Sequence, residues 1–337
     1  MSLFLLKNRK FPEFILPGCL IFVLCREIFL RLNRFTYFWV FKRLYYTHMK
    51  TRISFFLFCF LCLTLQAQPS TGTLRFAFLT DIHLDQANRN DRYNGLLSAL
   101  EKVKELHVDF ILTGGDMVDV SGMGKNMPEQ TVDSMYRVIK NTLDQTGIPY
   151  HPAVGNHDRF FAPEKEYTQG DEYFRKYFGA SYYTFQEKGV RFFILNSVQV
   201  KEEKGYYIGE EQMDWLKNEL SSVPTSTPII CCTHVPVYSL YYPVVEGRYV
   251  FLDVIANYKE LLAAFGSHNL QLVLQGHQHL HEEMRLQDVH YVTGGAVSAN
   301  WWEGSFHGTK EGFLLVEVQE NKKITWEYIP YGWKAKP

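Results

Sequence analysis

Disulfide-forming cysteine is nearly missing from most of this 337-residue chain: Cys19, Cys25, Cys59 and Cys62 fall in the first 68 residues, which leaves only Cys231 and Cys232. Those two are neighbours in an apolar run and read as small buried strand residues, not as a strained vicinal disulfide. A disulfide scaffold is therefore excluded, and the 269 residues after position 68 must rely on a hydrophobic core, which is enough chain for one large domain. Ahead of residue 49 there is also no clean membrane span. The best stretch, Phe14 to Cys25, has twelve residues, contains Pro17 and Gly18, and runs into Arg26 and Glu27, whereas a span needs about 20 apolar residues. Basic charge is scarce too. The formal charge is −1, and without the first 68 residues, which hold ten basic and two acidic side chains, 25 basic residues face 34 acidic ones, a net −9. That balance speaks against a general nucleic-acid binder, which needs a basic footprint. Internal repeats and low-complexity segments are absent.

Met49-Lys50-Thr51-Arg52 is a short basic start, Ile53 to Leu65 is an unbroken apolar run, and Gln66-Ala67-Gln68 leads into a polar stretch. This is the layout of a secretory signal peptide cut near Ala67 or Gln68. The expectation is an untranslated or mis-assigned extension over 1–48, a signal peptide over 49–68 and one domain over 69–337. The mature protein is then exported, periplasmic or secreted, without a stable membrane span. If the segment is retained, it is an anchor instead.

Beyond residue 69, strand and helix patterns alternate. Leu74 to Leu79 reads as a strand, Tyr93 to Leu106 as a helix through Leu96, Leu97, Leu100 and Val103, and Val108 to Leu112 as a second strand. A helix with Val132, Met135, Ile139 and Leu143 on one face precedes a third strand, Tyr150 to Val154. Tyr182 to Gln186 and Arg191 to Leu195 flank Lys188-Gly189 as a hairpin. A helix over Glu210 to Leu220, a strand over Pro228 to Cys232, a helix over Tyr258 to Phe265 and a strand over Leu272 to Leu274 follow. The tail is strand-rich, with His290 to Val292, Gly312 to Val318 and Ile324 to Ile329. This predicts one α/β domain of two packed mixed sheets with helices outside.

Five polar clusters each end an apolar run: Asp81-Ile82-His83, Gly115-Asp116, Gly155-Asn156-His157-Asp158, Thr233-His234 and Gly276-His277-Gln278-His279. One such cluster is what a turn carries; turns have no reason to choose metal ligands five times. Together the Asp, Asn and His side chains make a ligand set suited to two adjacent divalent metals.

From Asp81 to His279 the order of these clusters resembles the calcineurin-like metallophosphoesterase superfamily. The resemblance implies a four-layer αββα sandwich of two mixed β-sheets flanked by helices. It implies that Asp81, His83 and His279 ligate one metal, that Asn156, His234 and His277 ligate the other, and that Asp116 bridges them. His157 resembles the catalytic imidazole, with Asp158 orienting it. The implied cofactors are two divalent or trivalent ions, with Fe, Mn, Zn and Co all suited. The implied reaction is in-line attack of a metal-bridging hydroxide on a small anionic phosphoester. Three departures narrow the branch. Asp119 stands where purple acid phosphatases carry a ligating Tyr, no Arg follows it as in protein serine/threonine phosphatases, and Asp158 replaces the Glu of that group and of many 5′-nucleotidases. What remains resembles the branch of cyclic-nucleotide and glycerophosphodiester phosphodiesterases. The tail from Gly294-Gly295 through Trp301-Trp302 to Gly312-Phe313 resembles exported bacterial members. Diesters are thus expected ahead of monoesters. The alternatives are a phosphomonoesterase, a nuclease, which needs a basic groove, or a binding module with damaged ligands.

Other histidines read differently. His281 fits a strand leaving the site, while His107, His151, His268 and His290 fit surface or strand-end positions. His307 and the cluster Tyr238, Tyr241, Tyr242, Tyr249 and Phe251 are open between loop packing and a wall of the substrate cleft.

Overall fold

The computed structural model describes residues 72–121, 127–161, 169–201, 205–248, 250 and 253–335, all within the unit Pro69–Pro337. The expected extension 1–48, the signal segment 49–68, Cys19, Cys25, Cys59 and Cys62, and the aromatic residues Tyr249 and Phe251 lie outside the described residues. Among the described residues, no helix is long and apolar enough to cross a membrane.

The elements follow in the order β1 (Leu74–Leu79), α1 (Arg92–Glu105), β2 (Phe110–Thr113), α2 (Glu129–Asp144), β3 (Tyr150–Pro152), α3 (Glu172–Phe178), β4 (Tyr183–Glu187) and β5 (Val190–Ile194). A small ribbon, β6 (Gln199–Lys201) and β7 (Gly205–Tyr207), precedes α4 (Glu210–Ser221), β8 (Ile229–Cys232), α5 (Tyr258–Phe265), β9 (Leu270–Gln275), β10 (His281–Leu286), β11 (Val289–Gly294), β12 (Gly312–Val318) and β13 (Ile324–Pro330). One sheet has the order β13-β12-β1-β2-β3, the other β10-β11-β9-β8-β5-β4. Both are mixed. β1, β2 and β3 run parallel, as do β5, β8, β9 and β11, and antiparallel strands close every edge but the one at β3.

Side-chain alternation explains the layering, because each strand sends successive residues to opposite faces. Phe76, Phe78 and Leu112 of one sheet and Phe192, Ile230, Leu272 and Val292 of the other form one buried cluster between the sheets. Phe76 stacks on its sheet neighbour Phe110 and meets Phe192 of the opposite sheet edge-on, with ring centres 4.9 and 5.5 Å apart. The alternate residues, such as Ala77, Leu79, Ile111, Phe193 and Val273, join the outer cluster with the helices. Phe193 meets Trp215 of α4 and Phe265 of α5 edge-on. The expected αββα sandwich is therefore what the chain builds. Cys231 and Cys232 are free and buried, and they obey the same alternation: Cys231 belongs to the outer cluster and Cys232 to the inner one.

The expected strands and helices are present, with ends shifted by a residue or two. Lys188 and Gly189 sit at φ 45° and 77°, the paired left-handed geometry that a tight two-residue hairpin turn requires. Helix α3 and the ribbon β6–β7 were not predicted. In α3, Tyr177 stacks on Tyr136 of α2 at 5.7 Å, and a short helix so dense in aromatic residues shows little polar-apolar period.

His151 of β3 lies flat against Phe185 of β4, ring centres 3.6 Å apart. Burial holds its imidazole down to about 4. Its ordinary value is near 6.5, so below that pH the unfolded chain takes up a proton that the folded chain refuses. The contribution of His151 to stability is therefore lost between pH 6.5 and 4 and levels off below, with a slope bounded by one proton. Urea midpoints at pH 7 and pH 5 check this: His151→Gln should lose less stability on acidification than the parent, and parallel losses would refute the assignment.

Candidate metal centre

Each of the five clusters leaves the end of a strand. Asp81 and His83 follow β1, Asp116 follows β2, Asn156 and His157 follow β3, His234 follows β8, and His277 and His279 follow β9. Because β1–β3 are mutually parallel and β8 and β9 are too, these ends collect at one edge of the sandwich. Backbone bonds stitch the loops together. Asp81 N–H donates to Gly115 O at 3.0 Å, His83 N–H to Asp116 O at 2.9 Å and Gly276 N–H to His234 O at 3.0 Å. His277 N–H donates to Asp81 Oδ2 at 3.0 Å, which ties the two sheets together at the site.

Asp81, His83, Asp116, His277 and His279 all have φ between 50° and 70°. Side chains other than glycine rarely adopt this left-handed conformation, at a cost of roughly 1–3 kcal/mol each. Gly155 solves a tighter problem, because a Cβ there would stand 2.1 Å from Asp116 N. Only glycine lets the β3 loop cross the β2 loop so closely.

Three overlapping groups of donor atoms lie within 4.8 Å of one another: Asp81, His83 and His279; His83, Asp116 and His157; and Asp116, His234 and His277. Asp116 joins two of them and is almost fully buried. Its Oδ2 lies 3.2 Å from His234 Nε2 and 3.6 Å from His83 Nε2. Asn156 Oδ1 faces His234 Nε2 at 3.0 Å, and Asp81 Oδ1 faces His279 Nε2 at 3.4 Å. The structure thus brings all seven expected ligands to one place.

Three of the imidazoles are held by outer hydrogen bonds, as metal ligands are. His234 Nδ1 donates to Gly114 O at 2.8 Å, His279 Nδ1 donates to Ala299 O, and His277 Nε2 donates to Asp253 Oδ1 at 3.1 Å. In His234 and His279 the other nitrogen, Nε2, faces the cluster, the orientation that outer hydrogen bonds impose on ligating histidines. His83 Nε2 and His279 Nε2 stand 3.0 Å apart. Lone pairs that converge so closely on carboxylate and amide oxygens fit cations between them, and this donor set suits two.

Charge follows the same geometry. Burial pushes the Asp116 carboxyl up, but His234, His157 and His83 outweigh it and hold the group well below the usual carboxylate range. Burial pulls His157 and His234 down, yet Asp116 beside both, with Asp119 at His157 and Asp81 at His234, raises each to about 9.

His157 lies at the rim with part of its ring exposed, and its backbone N–H donates to Asp116 Oδ1 at 2.7 Å. The carboxylate that holds its ring is Asp119, whose Oδ1 accepts from Nδ1 at 2.8 Å. The expected orienting residue, Asp158, has another task. Its Oδ1 accepts from Val118 N–H at 3.0 Å and its Oδ2 from Gly155 N–H at 2.8 Å, so it clamps the two ligand loops from below. A residue next to His157 in sequence points to the opposite side of the loop, whereas Asp119 comes over from the β2 loop.

Sequence reasoning also missed Asp253, because one carboxylate in a long loop carries no spacing signal. Trp301 and Trp302, adjacent in the tail, take different places. Trp302 is fully buried, its indole N–H donates to Ile82 O at 2.8 Å, and its ring fills the space that a side chain on Gly95 of α1 would need. Trp301 stacks on His279 at 4.1 Å. His281 bonds Thr293 O and Glu283, away from the cluster, as expected for a strand residue. Tyr238 packs between Tyr258 and Tyr291, while Tyr241 and His307 lie beside Phe306.

Comparison with known proteins agrees with this arrangement. The model of the calcineurin-like phosphoesterase family matches residues 74–281. A 3′,5′-cyclic-nucleotide phosphodiesterase of Nostoc sp. is 27% identical over 283 residues, which span 78% of this chain and 96% of the relative. Among solved structures, a dimetal phosphatase from Danio rerio is 16% identical with a TM-score of 0.52, covering 77% of this chain and 99% of its own. GAP50, the anchor in the inner membrane complex of Plasmodium, is 17% identical with a TM-score of 0.50, covering 79% and 86%. At such identity these two likenesses establish the fold alone.

The Asp253–His277 bond generates a test. Asp253→Asn should weaken retention of one metal ion by about 10- to 100-fold, as loss of an outer partner of a ligating histidine does, and leave the other bound. Competition with a chromophoric chelator checks it, and two equally retained ions would remove Asp253 from the site.

Proposed function

The chain belongs to the calcineurin-like phosphoesterase family and hydrolyses phosphoester bonds, and from that premise we propose an exported enzyme that cleaves phosphodiesters at a dinuclear metal centre. The observation that carries the reading is the chain of three overlapping donor groups, Asp81–His83–His279, His83–Asp116–His157 and Asp116–His234–His277, linked through His83 and Asp116, with Asp119 bonded to His157. Asp81, His83 and His279 would hold one ion, Asn156, His234 and His277 the other, with Asp116 between them. Two bound ions supply an activated water near neutral pH and neutralise charge on the phosphoryl oxygens. The preference for diesters is supported by the cyclic-nucleotide phosphodiesterase among the relatives. The acidic balance after residue 68 speaks against DNA as the substrate.

The chain's own residues then have definite tasks. Asp119 fixes the tautomer of His157 by accepting from Nδ1, which leaves Nε2 to carry the proton that the departing oxygen needs. Burial opposes the charged imidazole, while the neighbouring carboxylates Asp116 and Asp119 favour it. Asp158, through Val118 and Gly155, holds the loop that presents His157.

A panel of phosphomonoesters, linear and cyclic diesters and DNA, assayed after reconstitution with Fe, Mn, Zn or Co, tests the substrate class. Turnover confined to monoesters would overturn the diester reading. Export rests on the layout of residues 49–68. The mature N-terminus is expected near residues 67–69, and sequencing that finds residues 1–48 attached would overturn it.

If His157 is the general acid, its value depends on the leaving group. A nitrophenolate departs readily as an anion, whereas a ribose or glycerol alkoxide does not. His157→Ala should lower kcat by about 10² to 10⁴ on an alkyl diester and far less on a nitrophenyl diester, at unchanged metal content. Equal losses on both would assign His157 to orientation or to charge stabilisation instead.

A further inference from the structure

One aromatic side chain at the site is neither buried nor explained by the chemistry above. Trp301 is 37% exposed, although its ring lies nearly parallel to that of His279, tilted 28° at 4.1 Å. It also stands 5.9 Å from His83. Phe306 rises beside it at 81° and 6.0 Å, and Tyr241 and His307 extend the wall beyond Phe306. An apolar ring next to so polar a centre normally turns inward, as Trp302 does.

The loop spends backbone strain to hold Trp301 out. Ala299, Trp301 and Trp302 have φ of 44°, 47° and 69°, conformations costly for residues with side chains. The strain is held by bonds on every side. Trp302 N–H donates to Ser298 O at 2.7 Å, Asn300 N–H to Gly304 O at 3.0 Å, and Ser298 Oγ to Asp81 O at 2.7 Å. Trp301 is thus held beside the donor cluster with its ring against His279 and about a third of the residue exposed. Phe306 stands perpendicular to it, so the two rings meet at a corner.

We propose that Trp301 and Phe306 form a subsite for the nucleobase of a nucleoside phosphodiester, Trp301 as the stacking floor and Phe306 as the wall. This rests on the phosphodiesterase reading and names its substrate class. A planar base matches a flat aromatic ring that is partly exposed beside the site. A quaternary ammonium group, the other ligand that aromatic walls recognise, would be pushed away by cations bound a few ångströms off at His279 and His83.

The test is a cycle between the base and the indole, read by equilibrium binding to the full-length protein loaded with Mn. The ligands are the hydrolysis-resistant methylene-phosphonate analogues of AMP and of ribose 5-phosphate. Removing the indole could also disturb His279, but that would weaken both ligands alike and cancel in their ratio. The parent protein should prefer the AMP analogue by about 5- to 150-fold, the range for one stacked base. Trp301→Ala should bring the two affinities to within about threefold, and Trp301→Phe should keep most of the preference. Trp301→Leu, which retains bulk without a ring, covers the case in which the alanine variant loses metal, and should behave as alanine does. Equal affinities in the parent, or a preference that survives in Trp301→Ala or Trp301→Leu, would overturn the proposal. So would a Trp301-dependent preference for a trimethylammonium phosphonate instead of the AMP analogue. Failure of the phosphodiesterase reading would show separately, as absence of turnover of cyclic AMP and of glycerophosphodiesters by the parent, and leaves the binding ratio interpretable.

Discussion

Asp116 is a carboxylate taken out of water and surrounded by imidazoles. Removing a charge from solvent costs several kcal/mol unless partners compensate, and among the described residues its oppositely charged partners within 4.0 Å are histidines, without a lysine or arginine. The carboxylate in turn favours the charged form of the imidazoles His157 and His234 against the pull of burial. The donors are thus held together by mutual attraction, and bound cations could take over the role that protons on these rings play. Much of the nearby structure serves to hold this arrangement. Asp158 clamps the loops on either side of it, and Gly155 leaves the space that lets them cross.

Strain has the same origin. Five candidate ligands adopt left-handed backbone conformations, which a chain does not choose for local reasons. Each is over-determined by contacts from elsewhere in the fold. The buried Arg92 of α1 donates to His83 O at 2.8 Å, Trp302 to Ile82 O at 2.8 Å, and His277 is bonded through Asp81 to the other sheet. The energy that keeps the donors converged comes from the sandwich core and its helices, so geometry at the edge is underwritten by packing well away from it.

This explains what could be read from the residues and what could not. Strands β1, β5 and β12 announce themselves as short apolar runs and helices α1 and α2 by period, and the candidate ligands lie directly after strands, where open α/β sheets gather sites. Asp119, Asp253 and Trp301 were opaque because their importance lies in which loop they meet. Asp119 reaches His157 across 38 positions and Asp253 reaches His277 across 24. Adjacency made Asp158 the obvious partner of His157, but neighbours in a tight loop point apart. Helix α3 escaped notice because its aromatic side chains pack by stacking, not by an alternating polar and apolar face.

The two cysteines of β8 show how little the strand that carries His234 can yield. Adjacent strand residues face opposite ways, so Cys231 lies beneath the helical layer and Cys232 inside the seam between the sheets. They cannot bond to each other without breaking the strand, and burial pushes both thiols up, out of their reactive form. An alkylating reagent reaches Cys231 only when the helices lift and Cys232 only when the sandwich parts. The pair is thus a built-in recorder of two distinct opening motions, placed on the strand whose rigidity the site requires.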